Sequence, residues 1–117
     1  MNGTATVYTD SFKLKQGVYF GLWAKASATG TPTVKIQLEQ SYTAPTLGET
    51  STPAADANFV VPDSFPDIFS NLNDTVAHVK SVSPVPMTYG RFKITGLATN
   101  PADTVIDMRL FLQDTWN

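Results

Sequence analysis

The sequence predicts an all-β protein, an antiparallel two-sheet sandwich of jelly-roll-like order with one short helix. Three observations carry that prediction. First, apolar and polar residues alternate strictly in Val34-Lys35-Ile36-Gln37-Leu38-Glu39, Arg91-Phe92-Lys93-Ile94-Thr95 and Ile106-Asp107-Met108-Arg109-Leu110. Successive side chains of a strand point to opposite faces, so this rhythm describes strands with one dry face and one wet face. Second, turn signals recur between the candidate strands, at Ala28-Thr29-Gly30-Thr31-Pro32 and at Ala98-Thr99-Asn100-Pro101-Ala102-Asp103. Third, the length of 117 residues suits one domain with its own core. Residues 1–117 are therefore expected to form a single β-sandwich domain.

The elements follow in order. Ala5–Thr9 reads as a first short strand. Val18–Ser27 reads as a second, with Val18, Phe20, Leu22 and Ala24 on one face and Tyr19, Gly21, Trp23 and Lys25 on the other. Both faces carry large apolar groups, so this strand is expected to be covered on both sides or to form part of an interface. The turn at residues 28–32 is short, and a hairpin with Thr33–Tyr42 is expected. The rhythm then stops. Thr43–Ala57 holds Pro45, Gly48 and Pro53 among small polar residues and reads as a long surface loop. Asn58–Val61 reads as a short strand closed by Pro62. Ile68, Phe69 and Leu72 lie at helical spacing behind Pro66, which suits a first helical turn, so the spacing predicts a short helix over Pro66–Leu72. Val76–Val82 is the next strand. Ser83-Pro84-Val85-Pro86 cannot pair in a ladder, because proline has no N–H. Tyr89–Leu97, with Phe92 and Ile94 inward, and Thr104–Gln113, with Ile106, Met108, Leu110 and Leu112 inward, are expected to close as a second hairpin. Val105, Asp107, Arg109 and Phe111 then face outward.

Composition narrows the function. With no cysteine, disulfides, thiolate metal sites and a cysteine nucleophile are excluded. The net charge is −2, and the eight Lys and Arg are scattered among ten acids. Duplex DNA is bound largely through cations that neutralise phosphates, so nucleic acid is not an expected partner. No apolar run is long enough for a membrane-spanning helix, and the N-terminus does not read as a secretory signal. A surface so poor in charge suits a protein that packs beside copies of itself.

The search for chemistry yields little. His78 is the only histidine, so a multi-histidine zinc site is excluded. Glu39, Glu49, Asp63, Asp67, Asp103 and Asp107 are candidates for a pair of hydrolytic carboxylates. Solvated acids and turn formers explain them as well. Asp63, Asp67, Asn71, Asn73 and Asp74 form the densest oxygen-rich stretch, without the glycine and spacing of a calcium loop. No catalytic residue, metal ligand or cofactor site is assigned, and an enzyme is not expected. Lys35, Arg91, Lys93 and Arg109 fall on wet strand faces, where they can pair with Glu39 and Asp107. The aromatics are the best remaining clue. Tyr19, Trp23, Phe111 and Trp116 are the expected interface anchors, because Tyr and Trp are enriched where proteins meet.

Four stretches taken together, Thr33–Ser41, Asn58–Pro62, Pro86–Gly96 and Asp103–Val105, resemble the small capsid-associated, decoration-like virion proteins of tailed bacteriophages. The resemblance is one of style over most of the chain, with no short diagnostic motif. It implies a non-enzymatic structural protein on a virion, assembled in the host cytoplasm. It further implies a homo-oligomer, a trimer for preference, whose other partner is the major capsid protein. Thr43–Ala57 would then serve as a contact arm. The competing expectation is a carbohydrate-binding β-sandwich module, in which the same aromatics would stack on sugar rings.

Overall fold

The computed structural model describes residues 3–14, 18–42, 59–63, 67–82 and 88–114, with the backbone alone at residues 18, 19 and 112–114. The described residues form eight strands, β1 (Thr6–Tyr8), β2 (Phe12–Lys13), β3 (Val18–Ser27), β4 (Val34–Ser41), β5 (Phe69–Leu72), β6 (His78–Val82), β7 (Tyr89–Gly96) and β8 (Val105–Asp114). They build two antiparallel sheets. The larger has the order β1-β7-β4-β5, with β2 also paired to β7; the smaller has the order β6-β3-β8. The described residues contain no helix.

The period-two pattern sets the inner faces. Phe20, Leu22, Ala24 and Ala26 of β3 are buried, as are Val34, Ile36 and Leu38 of β4 and Phe92 and Ile94 of β7. They belong to one apolar cluster that joins the two sheets into a sandwich-like pair of layers. Phe20 and Phe92 meet edge-to-face across it, ring centroids 6.2 Å apart. Each buried Val, Leu, Ile or Phe of this set contributes about 1.5–3 kcal/mol relative to exposure, the alanines less.

Neither expected hairpin forms. β3 pairs with β6 and β8, while β4 pairs with β5 and β7. The turns Ala28–Thr33 and Leu97–Thr104 are arches that carry the chain from one sheet to the other. The physical reason lies in the cover each strand needs. Side by side in a hairpin, β3 and β4 would turn their apolar rows the same way; across an arch, each row covers the other.

The two arches are fastened together. Asn100, 7% exposed, accepts a hydrogen bond at Oδ1 from the Thr33 backbone N–H (2.9 Å) and from Thr104 Oγ1 (3.1 Å), and its Nδ2 donates to the Gly3 carbonyl (2.7 Å). Asp103 accepts from both the backbone N–H and the hydroxyl of Thr29. Those two bonds, side chain first, hold the Asp103 carboxyl below its usual range. The N-terminal segment completes the clamp. A Cβ on Gly96 would stand 1.8 Å from the Gly3 carbonyl oxygen, so only glycine permits that approach.

The short helix expected over Pro66–Leu72 is replaced, over its last four residues, by strand β5. Val34 lies opposite Leu72 and Ile36 opposite Phe69, so β5 spends one more residue than β4 over the same span. That bulge puts Phe69 and Leu72 on one face with the exposed Ser70 and Asn71 between them. A three-residue apolar spacing reads as helix in sequence, and a bulged strand produces it equally well. Of the strand expected at Asn58–Val61, Asn58 lies outside the described residues, and residues 59–61 contribute a single bridge, from Val60 to Gln40. The loop Thr43–Ala57 lies outside the described residues.

Candidate interaction surface

The outer face of the three-stranded sheet carries three of the seven exposed large hydrophobic side chains among the described residues, Val79, Val105 and Phe111. β3 lies in its middle, and cross-strand register fixes the neighbours. Trp23 stands opposite Val79 of β6 on one side and Arg109 of β8 on the other. One pleat along, Gly21 stands between Ser81 and Phe111 and places no side chain directly beside the Phe111 ring. Lys25 stands opposite Asp107, and Ser27 opposite Val105. Val79, Val105 and Phe111 are 64%, 61% and 59% exposed, and Trp23 is half-buried. The Arg109 guanidinium carbon sits 5.6 Å from the Trp23 ring centroid, a cation–π distance, while Nη2 of Arg109 reaches Asp107 at 3.7 Å. The face is an aromatic and aliphatic patch with a basic and an acidic group at its β8 margin.

Of the four expected anchors, Trp23 and Phe111 are thus brought to one surface. Tyr19 takes its place in β3 opposite Gln113, but its side chain lies outside the described residues, as does Trp116.

Of the charged residues expected to pair on wet faces, Arg91 meets Glu39 and Arg109 meets Asp107, whereas Lys35 and Lys93 stand opposite Thr95 and Gln37. Arg91 Nε donates to Glu39 Oε1 at 2.7 Å, but the pair is buried, its side chains 7% and 8% exposed. Tyr8 and Phe59 sandwich the guanidinium at 4.2 and 4.6 Å from their ring centroids. A cross-strand ion pair on an outer face normally stays wet; here Phe59, in a segment with no strand of its own, closes over it. No pattern local to Arg91 announces that lid.

Asn71, Asn73 and Asp74 of the oxygen-rich stretch, without Asp63 and Asp67, wall a crevice of about 260 Å³ between β5 and β6 together with Phe69, His78 and Lys80. His78 Nε2 meets Asp74 Oδ1 at 2.9 Å. That bond, followed by one from the Val76 backbone N–H, lowers the Asp74 carboxyl below its usual range. The acids considered for hydrolysis do not converge among the described residues. Glu39 is held by Arg91, Asp67 accepts from Gln37 Nε2 at 3.0 Å, and Asp103 is held by Thr29. No group of three or more His, Asp or Glu that could hold a metal ion occurs among the described residues. Among the described residues, no helix is long and apolar enough to cross a membrane.

Comparison with protein-family profiles, curated proteins and solved structures found no match for this chain.

Proposed function

We propose that this protein is a non-enzymatic structural component of a virus particle, decoration-like, working through contacts with copies of itself and with a capsid shell. The observation that carries the reading is the open patch of Trp23, Val79, Val105 and Phe111, presented on a rigid sheet rather than on a loop. Such a surface suits repeated shallow contacts, where many weak sites engaged together give a strong whole.

The strand pairings support the finer, jelly-roll description. β4 pairs with β5, β3 with β6, and β1 and β2 with β7. These are the rungs of one long antiparallel ribbon. Rolling it up adds the contacts of β4 with β7 and of β3 with β8. Rolled ribbons of this kind recur in capsid proteins and in lectins. The lectin comparison keeps the carbohydrate-binding reading as the second choice. Against it, the guanidinium of Arg109 already lies against the Trp23 ring that a sugar would need.

The test is co-sedimentation. Heads of the tailed phage encoding the chain, prepared without it, are mixed with the purified protein and spun through a gradient. Saturable co-migration is expected, weakened at least tenfold by Trp23→Ala with Phe111→Ser. Protein that stays at the top of the gradient overturns the proposal, and saturable binding to a glycan panel in its place installs the second reading.

A further inference from the structure

The four sheet edges are not alike. β1 and β2 are interrupted by Thr9–Ser11. β5 is four residues long and bulged. β6 has five residues, and its register places His78 and Lys80 on the inner face beside Phe69, where Lys80 Nζ lies 5.8 Å from the ring centroid. Shortness, bulges and inward charges are the ordinary devices that stop an edge from recruiting another strand. Along Val105–Phe111, β8 has none of them. It is ten residues long and stays in unbroken register with β3 throughout; among the described residues it pairs with nothing else. Ile106, Met108 and Leu110 form an apolar row on its inner face, yet they are only partly buried. Beneath them the sandwich gapes. One cleft of about 340 Å³ is lined by Phe12, Phe92, Met108 and Leu110, and another of about 270 Å³ by Val7, Ile94, Val105 and Ile106. The rolled ribbon gives the same result by another route. The rungs run β4·β5, β3·β6 and β1·β7, and the next would set a strand beside β8. No described residue fills that place.

From the chemistry of β8 we infer that a second copy of this chain occupies the edge, the two β8 strands pairing antiparallel about a two-fold axis at Met108. Written outward from Met108, the strand is a chemical palindrome: Asp107 against Arg109, Ile106 against Leu110, Val105 against Phe111. A two-fold antiparallel pair lays each of these directly opposite its counterpart. Asp107 of one protomer faces Arg109 of its partner, twice, making a square of alternating charge on the outer face. Ile106 and Leu110 meet on the inner face and extend the core over the clefts. Opposite residues must share a face, which restricts the choice of register. The two nearest alternatives set Asp107 against Asp107 or Arg109 against Arg109, and like charges directly opposite destabilise a pair. The edge selects its own register. This inference does not rest on the virion reading, and it replaces the three-fold expectation for self-association with a two-fold one.

The full chain tests it in solution by light scattering over a concentration series. A mass of twice 12.7 kDa is expected at high concentration. Arg109→Asp places four acids together and is expected to weaken the dimer at least tenfold. Asp107→Arg combined with Arg109→Asp restores the alternation and the dimer, while circular dichroism reports that each variant keeps its β-structure. The absence of native cysteine gives a second readout. Met108→Cys, lying on the axis, is expected to form an interchain disulfide on mild oxidation. Phe111→Cys is not, because six residues of strand keep the two copies about 20 Å apart. A chain that stays monomeric to millimolar concentration, a dimer indifferent to both charge variants, or equal crosslinking at 108 and 111 overturns the inference. A monomer that still co-sediments with heads leaves the particle reading standing, and a dimer that does not removes that reading alone.

Discussion

Among the described residues, Gln40 is the one whose buried side-chain polar atoms lack a hydrogen-bond partner. It follows Val34, Ile36 and Leu38 along the inward row of β4 and is wholly buried, and neither its amide oxygen nor its amide nitrogen has a hydrogen-bond partner. Its backbone is satisfied by Val60, so the cost lies in the side chain alone. A buried amide left unpaired costs about 1–3 kcal/mol. Gln40→Met keeps the length and removes the polar atoms, so the urea midpoint is expected to rise by an amount worth about 1–2 kcal/mol. An unchanged or lower midpoint would place an unseen partner at that amide. Arg91 makes the opposite case. Its charge is also buried, but it has Glu39 as an ion-pair partner and the Tyr8 and Phe59 rings beside it.

At the scale of elements, the arches matter more than the strands they connect. Asp103 belongs to one arch and Thr29 to the other, and their bonds hold the Asp103 carboxyl below the ordinary 3.8. A carboxylate with a depressed folded value stabilises the fold above its unfolded value, and the contribution disappears as pH falls through the folded one. Melting temperature is therefore expected to drop on acidification below about pH 4. In Asp103→Asn that part of the acid limb should flatten, with the melting temperature at pH 7 already lowered; an acid limb identical to the parent's would mean the arches are fastened elsewhere. The alternation in β4, β7 and β8 was legible in the sequence because it reports only which face is dry. Partner choice was not, since the same turn residues serve a hairpin and an arch. The strand β5 was hidden because a bulge imitates helical spacing. The site was half legible: outward Trp23 and Phe111 follow from parity, but their meeting depends on β3 lying between β6 and β8.

The whole molecule is held by pairings between distant parts of the chain. β3 finds its longest partner in residues 105–114, and β1 finds its own in β7. Topologies dominated by such non-local contacts fold in milliseconds to seconds, because loops must close before any contact rewards them. Stopped-flow refolding followed by intrinsic fluorescence is expected to give a main phase in that range; a microsecond phase carrying the full amplitude would contradict the pairing. The same arrangement bears on biosynthesis. β3 leaves the ribosome long before β8 has been translated, and in that interval Phe20, Leu22, Ala24 and Ala26 form a sticky extended stretch with no lasting cover. Nascent chains of this protein would therefore be natural clients for a holding chaperone that grips that segment and lets go once β8 emerges.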